Sequence, residues 1–233
     1  TPIHRCCRNN HESTLEVLLE QQEIDVNVLD RNWITPLHIC AANNALECAQ
    51  LFITKVPYVD ALDKADATPL HHASFNGHCD LISFLVKYGA NPNAEDLWKR
   101  SPLHYASFID NTNAINKLIE NGANVNSLDE RMMSPLHIAA AKGCLNAIIA
   151  LIECKANEND LDFHGNTPLH LACYYGQDDA AEELIASGAL ISAPNFYGFT
   201  PLHFAASSDA GTPALEILTN KRNQHLLDIN AQD

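Results

Sequence analysis

The sequence predicts an all-α solenoid of about seven stacked helix–turn–helix–hairpin units, and three observations lead there. A four-residue element recurs seven times: T-P-I-H at Thr1, T-P-L-H at Thr35, Thr68, Thr167 and Thr200, and S-P-L-H at Ser101 and Ser134. Its spacing is 34 residues once and 33 five times over. Each interval also carries the same short set of apolar residues at helical spacing, too few to bury an apolar face alone. Units of this kind are stable only when stacked, each contacting mainly its neighbours.

The unit from Thr68 to Arg100 shows why each element forms. Thr68 suits an N-cap, and Pro69 occupies the first helical position, where its missing N–H costs nothing. Leu70, Ala73 and Ser74 make a short first helix with room for close packing, and Asn76-Gly77 breaks it. Asp80 to Tyr88 predicts a second helix with Leu81, Ile82, Leu85 and Val86 facing inward. Gly89 ends it, since glycine takes positive φ freely. Asn91 to Arg100 is a polar loop leading to the next Ser-Pro.

The predicted repeats are 1–34, 35–67, 68–100, 101–133, 134–166, 167–199 and a partial 200–233, together one repeat domain over 1–233. Several depart from the template. The first has one extra residue around Gln21 to Asp25, with Leu15, Leu18 and Leu19 as its second-helix core. The second carries Val56-Pro57 where Gly-Ala is expected, so its second helix should end differently. The fourth has Ile115, Leu118 and Ile119, and the fifth Ile148, Leu151 and Ile152 with Lys155 in place of the glycine. The sixth has Leu184 and Ile185. In the seventh, Thr212-Pro213 reads as a cap and first residue, and Asn223 to Leu227 adds about five residues by register. Thr1 starts at a helix cap and Asp233 falls where a hairpin should form. Neither end shows the polar face of a terminal repeat, so the chain is expected to be an excerpt of a longer array.

The motif with its 33-residue period is the pattern of ankyrin repeats, and the chain is identified as a member of that family on those seven matches. The resemblance implies the helix, turn, helix and projecting hairpin of each unit, and a role in binding other proteins. It also implies that the motif histidines (His4, His38, His71, His104, His137, His170 and His203) hold the turn region by hydrogen bonds. Buried imidazoles need partners, and the motif hydroxyl and loop carbonyls are near.

Composition narrows the function. With 29 acidic against 14 basic side chains the formal charge is -15, which argues against general binding to a phosphate backbone. No apolar run approaches the roughly 18 residues of a membrane span, so membrane insertion is not expected. The eight cysteines form no C-x-x-C pair, and several sit at small-residue positions of the helices. They read as buried reduced thiols, which points to the cytoplasm, the nucleus or both. No metal or cofactor site and no catalytic residue is expected: there is no Gly-rich phosphate loop, no G-x-S-x-G and no H-E-x-x-H. His71-His72 and His78-Cys79 are discounted because helix neighbours point about 100° apart. Asp30, Asp63, Asp96, Asp129 and Asp162 recur with the repeat, as turn-forming carboxylates do.

Function should lie in the variable positions. One set is the hairpin tips: Arg31 and Trp33, Lys64, Trp98 with Lys99 and Arg100, Arg131 with Met132 and Met133, Phe163, and Phe196 with Tyr197. Tip glycine survives only as Gly165 and Gly198; Trp33, Asp66, Lys99 and Met132 replace it elsewhere. The other set is the exposed side of the first helices, where Phe75, Phe108 and Tyr174 are equivalent, Tyr175 lies beside the last, and stacking predicts an inner, concave face. Aromatic residues, Arg and Met are enriched at the centres of protein interfaces.

A narrower resemblance rests on T-P-L-H-L-A-C-Y-Y-G-Q-D-D (Thr167 to Asp179), E-L-I-A-S-G-A (Glu183 to Ala189), N-F-Y-G-F-T-P-L-H-F-A-A-S-S (Asn195 to Ser208), H-H-A-S-F-N-G-H (His71 to His78) and R-N-W-I-T-P-L-H-I-C-A-A-N-N-A (Arg31 to Ala45). These stretches resemble the regulatory ankyrin repeat subunits of serine/threonine-protein phosphatase 6. The hairpins of the second, fourth and fifth units and the Asn223 to Leu227 loop depart from that pattern. The resemblance implies a non-catalytic scaffold that joins the phosphatase 6 catalytic subunit through a SAPS-domain subunit and presents phosphoprotein substrates. Basic tips would suit acidic or phosphorylated segments. The alternatives are a generic ankyrin adaptor, or the ankyrin segment of a larger channel, kinase or ubiquitin-ligase protein.

Overall fold

Proline at the first helical position decides where each unit begins. Helix α1 (Pro2–Asn9) pairs with α2 (Glu12–Leu19), α3 (Pro36–Asn43) with α4 (Leu46–Phe52), and α5 (Pro69–Phe75) with α6 (Cys79–Lys87). The same order continues as α7 (Pro102–Phe108) and α8 (Thr112–Glu120), α9 (Pro135–Lys142) and α10 (Leu145–Glu153), α11 (Pro168–Tyr174) and α12 (Asp178–Ser187), then α13 (Pro201–Ser207) and α14 (Thr212–Thr219). The computed structural model describes residues 1–21, 24–207 and 212–220, and no strand occurs among the described residues. This is the helical ankyrin-repeat solenoid that the period predicts. The second unit does end differently: α4 runs into a 3₁₀ turn, Ile53–Lys55, before Val56-Pro57. Helix α14 starts at Thr212 itself, one residue before the predicted first position. Gln22 and Glu23, within the Gln21 to Asp25 stretch expected to hold the added residue, and the Asn223 to Leu227 insertion lie outside the described residues.

The chain forms two compact units, Thr1–Ala106 with Asn116–Asn124, and Ser107–Ile115 with the chain from Val125 onward. In the first, α3 packs against both α1 and α5, and α2 against α4. In the second, α11 packs against both α9 and α13, and α12 against α10 and α14. The motif leucines Leu37, Leu70, Leu103, Leu136 and Leu169 are buried, as are the small residues Cys40, Ala73, Ala106, Ala139, Ala172 and Ala205 that let first helices approach. Burial of one such leucine contributes about 1.5–3 kcal/mol. In the second helices one side of each expected pair is fully buried (Leu15, Leu81, Ile82, Leu85, Ile115, Leu118, Ile148, Leu151, Leu184), while Leu18, Leu19, Val86, Ile119, Ile152 and Ile185 are half-buried. Five cysteines are buried and Cys79, Cys144 and Cys154 are half-buried, all as free thiols. Burial pushes the Cys48 and Cys173 thiols up to about 12, so both are protonated and unreactive at neutral pH.

Five motif histidines, His4, His38, His71, His137 and His170, bridge their own caps to the following hairpin. The backbone N–H of Thr35 donates to His38 Nδ1 at 3.2 Å, which leaves the proton on Nε2. That N–H donates to the Ala67 carbonyl at 3.1 Å. The Thr35 hydroxyl accepts from the His38 N–H at 3.3 Å and closes the cap. The long arm recurs from His4 to Ile34, His71 to Arg100, His137 to Asn166 and His170 to Phe199, at 2.9–3.0 Å. The carbonyls reached are those that enter the next Thr/Ser-Pro or stand just before it. A core histidine therefore replaces the regular backbone pairing that a hairpin between helices lacks.

Candidate protein-binding surface

An aspartate, or in one case an asparagine, builds each described hairpin tip. Asp96 Oδ1 accepts from the N–H groups of Trp98 and Arg100, each at 2.9 Å, and its own N–H donates to the Arg100 carbonyl at 3.0 Å. Asp30, Asp63, Asp129 and Asp162 repeat the side-chain pair at 2.7–3.0 Å, and Asn195 does so at 3.0 Å through its amide oxygen. The carboxylates are thus turn-formers, as their periodicity predicts. Burial alone would raise Asp63 and Asp96, but the hydrogen bonds they accept hold both below the usual carboxylate range.

The third residue after the aspartate must turn left-handed. Trp33, Asp66, Lys99 and Met132 do so at φ of 62, 56, 59 and 58°, beside Gly165 at 78° and Gly198 at 86°. The sequence exposes this substitution of tip glycine, and the structure shows the strain it carries. Gly165 is held to glycine by a further constraint. A Cβ there would lie 2.8 Å from the backbone N and 2.6 Å from the ring of Phe196 in the next tip. That close approach accompanies the bond from the Phe196 N–H to the His164 carbonyl, at 3.1 Å.

The tip side chains stand out from this frame. In the first unit Arg31, Trp33, Lys64, Trp98 and Lys99 are exposed, as is Phe75 on α5. In the second, Arg131, Met132, Phe163, Phe196, Tyr197 and Tyr174 are exposed, with Phe108 at the end of α7. The Lys142 ammonium sits 4.4 Å from the Phe108 ring centre, a cation–π contact. Arg100 differs from its neighbours. Its Nη2 lies 2.6 Å from Asp96 Oδ2 and donates to the Tyr105 hydroxyl at 2.8 Å, while Nε donates to the same carboxylate oxygen at 2.8 Å. The guanidinium also lies over Trp98 and Tyr105, at 4.5 and 4.8 Å. Its charge is committed inside the chain, and Trp98 is partly committed with it.

Sequence reasoning missed Tyr105, whose hydroxyl donates to Asp96 at 2.8 Å, and His72, whose Nε2 meets Asp63 at 2.9 Å. Each stands nine residues after its aspartate, so the periodic table of repeats held the signal. His38, Asp63 and His72 each bring one possible metal ligand within 4.8 Å of the others. Both His38 nitrogens already serve the cap and the Ala67 carbonyl, so binding an ion there would sacrifice a core bond. His72 is bonded to Asp63, and His38 meets the His72 ring edge-on, so the three fit the repeat frame and do not fit a metal centre.

In the second unit a groove of about 720 Å³ opens between the hairpins beginning at Asp129 and Asp162 and the end of α11. Arg131, Phe163, Tyr174 and Tyr175 line it, together with Phe204, which sequence reasoning also missed. Tyr174 packs edge-on to both Tyr175 and Phe204, with ring centres 5.0 and 5.7 Å apart. His164 connects the tips, its Nδ1 3.3 Å from the Tyr197 hydroxyl.

Helix pairs that hold exposed aromatic and basic tips on a hydrogen-bonded frame define a protein–protein interaction module. The chain belongs to the ankyrin repeat family, whose model, described as ankyrin repeats (3 copies), matches residues 3–96, 103–195 and 136–233. Among solved structures, the ankyrin repeat domain of human ASB11 superposes with a TM-score of 0.81 at 22% identity, covering 93% of this chain and 97% of that one. Among curated proteins, the SMC5-SMC6 complex localization factor protein 1 of Mus musculus and of Bos taurus are each 39% identical over 60 residues, 26% of this chain. The matched stretch spans 6% of the length of those relatives. No helix among the described residues is long and apolar enough to cross a membrane.

Proposed function

We propose that this chain is a non-catalytic scaffold that binds proteins through its hairpin tips and the exposed ends of its first helices. In its narrower form the reading is a regulatory, substrate-recognising subunit of a phosphatase 6-type complex, in the cytoplasm, the nucleus or both. One observation carries the broader reading. Large aromatic side chains are exposed on four of the hairpin tips (Trp33, Trp98, Phe163, Phe196), each a tip whose backbone an aspartate or asparagine already fixes. Rigid aromatic anchors bind with little ordering cost. The narrower form rests on the resemblance of the quoted stretches to the phosphatase 6 ankyrin subunits.

The test is co-precipitation of the full-length protein with purified phosphatase 6 catalytic and SAPS-domain subunits, beside the double variant Trp33→Ala/Phe163→Ala. Recovery of both subunits, reduced by the variant, supports both forms. Reproducible binding of other proteins through the same tips, without the phosphatase subunits, leaves a generic adaptor. Binding indifferent to the tips removes the broader reading.

A further inference from the structure

The groove of the second unit has a floor chemistry that the tips do not share. Asp162 is 6% exposed and lines it. Its Oδ1 is taken by the N–H groups of His164 and Asn166, both at 2.8 Å. Its Oδ2 receives the Asn166 amide at 3.1 Å, a neutral donor. Two of the equivalent carboxylates are better served: Asp63 by the His72 imidazole, Asp96 by the Tyr105 hydroxyl and the Arg100 guanidinium; Asp30 and Asp129, followed nine residues on by Ile39 and Ile138, do not line this groove. Nine residues after Asp162 stands Leu171, which has nothing to donate. Asp162 thus lines an open groove with a carboxylate oxygen that receives a single neutral side-chain donor and has acceptor capacity to spare.

We propose that this groove receives an arginine side chain of an extended partner segment, with Asp162 as its ion-pair partner. The proposal rests on the interaction-scaffold reading and gives that surface a ligand chemistry. The chain already contains the arrangement in another repeat. Arg100 lies against Asp96 with Trp98 and Tyr105 on its faces. In the Asp162 repeat the arginine position is Asn166, too short to fill the site. Phe163 and Tyr174, 66 and 49% exposed, offer the aromatic faces. A guanidinium is planar, stacks on rings and bonds a carboxylate through two N–H groups, which an ammonium does not. The charges that line the groove are Asp162 and Glu130 against Arg131, net anionic within a chain of charge -15. The same balance repels a phosphorylated segment at this site.

The test uses fluorescein-labelled, end-blocked peptide pools with one central residue fixed as Arg, Lys, Gln or phosphoserine, read by polarisation against the whole protein. The Arg pool should bind at least tenfold more tightly than the Gln pool. Asp162→Asn should abolish the difference and leave the melt unchanged, because Asn195 makes the same turn bonds with an amide. A second variant, Leu171→His, copies His72 and should cap Asp162 from within, with the same loss. An Arg preference that survives both variants, equal binding of all pools, or preference for phosphoserine overturns the proposal. The phosphatase reading fails separately, on co-precipitation, whatever the pools show.

Discussion

The Nε2–H of His71 donates to the carbonyl oxygen of Arg100, 29 residues later, at 2.9 Å. Its Nδ1 accepts the Thr68 N–H at 3.1 Å. One imidazole thus satisfies a donor at the start of a repeat and an acceptor at its end. His71→Ala leaves both unpaired in the core, and a buried unsatisfied group costs about 1–3 kcal/mol. The expected loss is about 2–6 kcal/mol, the two groups taken as additive. Urea titration followed by circular dichroism measures it. A midpoint equal to the wild type would mean that water replaces both bonds.

The same histidines set a pH dependence. Burial pushes His38, His71 and His170 down to about 4, against 6.5 for the free side chain, and lowers His137 as well. The unfolded chain therefore binds more protons between those values, and stability falls as pH drops from about 6.5 to about 4. The stabilisation is complete above 6.5. Each of the three loses on the order of 3 kcal/mol over that window. Asp63 and Asp96, held low, add their own loss only below about pH 4. Thermal melts at pH 7.5, 6, 5 and 4 should show a steep decline. A flat profile down to pH 5 is incompatible with the neutral-imidazole bridges.

Tip backbones give a prediction of opposite signs. Met132 pays for a left-handed turn that glycine makes freely, so Met132→Gly should stabilise by about 0.5–1 kcal/mol. Gly165→Ala meets the Phe196 backbone as well as positive φ, and should destabilise by about 1–3 kcal/mol. Denaturation midpoints of the two variants should move in opposite directions; parallel shifts would remove the argument.

The period and the capped prolines made the helices legible in the sequence, including the altered end of α4 and the replacement of tip glycine by Trp33, Asp66, Lys99 and Met132, whose left-handed backbone the structure adds. Exposure of the tip aromatics was legible for the same reason, since frame positions subtract out. Arg100 was not, because its fate depends on Asp96 and Tyr105, four and five to nine positions apart along the chain but joined only when hairpin and α7 are folded together. The Asp162 groove was hidden likewise. It is defined by what Leu171 fails to supply, which emerges only once His72 and Tyr105 are seen on their carboxylates.

Core register has its own test. Leu103 and Leu136 are fully buried in equivalent positions. Leu136→Asp places a carboxylate where nothing can pair with it, at a cost of several kcal/mol. Because α9 packs against α11, the loss should spread beyond its own repeat. Hydrogen exchange should show reduced protection in both helices. Loss confined to α9 would show that the repeats melt independently.

Arg100 separates binding from stability at the tips. Lys99 and Arg131 are exposed, so Lys99→Glu and Arg131→Glu should leave the melt within about 0.5 kcal/mol of the wild type. If the tips bind partners, either change alters affinity. Arg100→Glu instead strips Asp96, whose side chain is wholly buried, of two hydrogen bonds and sets a second carboxylate beside it. Hydrogen bonds to charged groups are worth about 1.5–3 kcal/mol, so the variant should unfold earlier before any partner is added. A triple reversal of Lys99, Arg100 and Arg131 would confound the two effects. The informative comparison is the Lys99→Glu/Arg131→Glu pair against Arg100→Glu alone, each measured by melting and by binding. Lost affinity with an unchanged melt in the pair assigns the tips to recognition, whereas an unchanged melt in Arg100→Glu would show that Tyr105 alone suffices for Asp96.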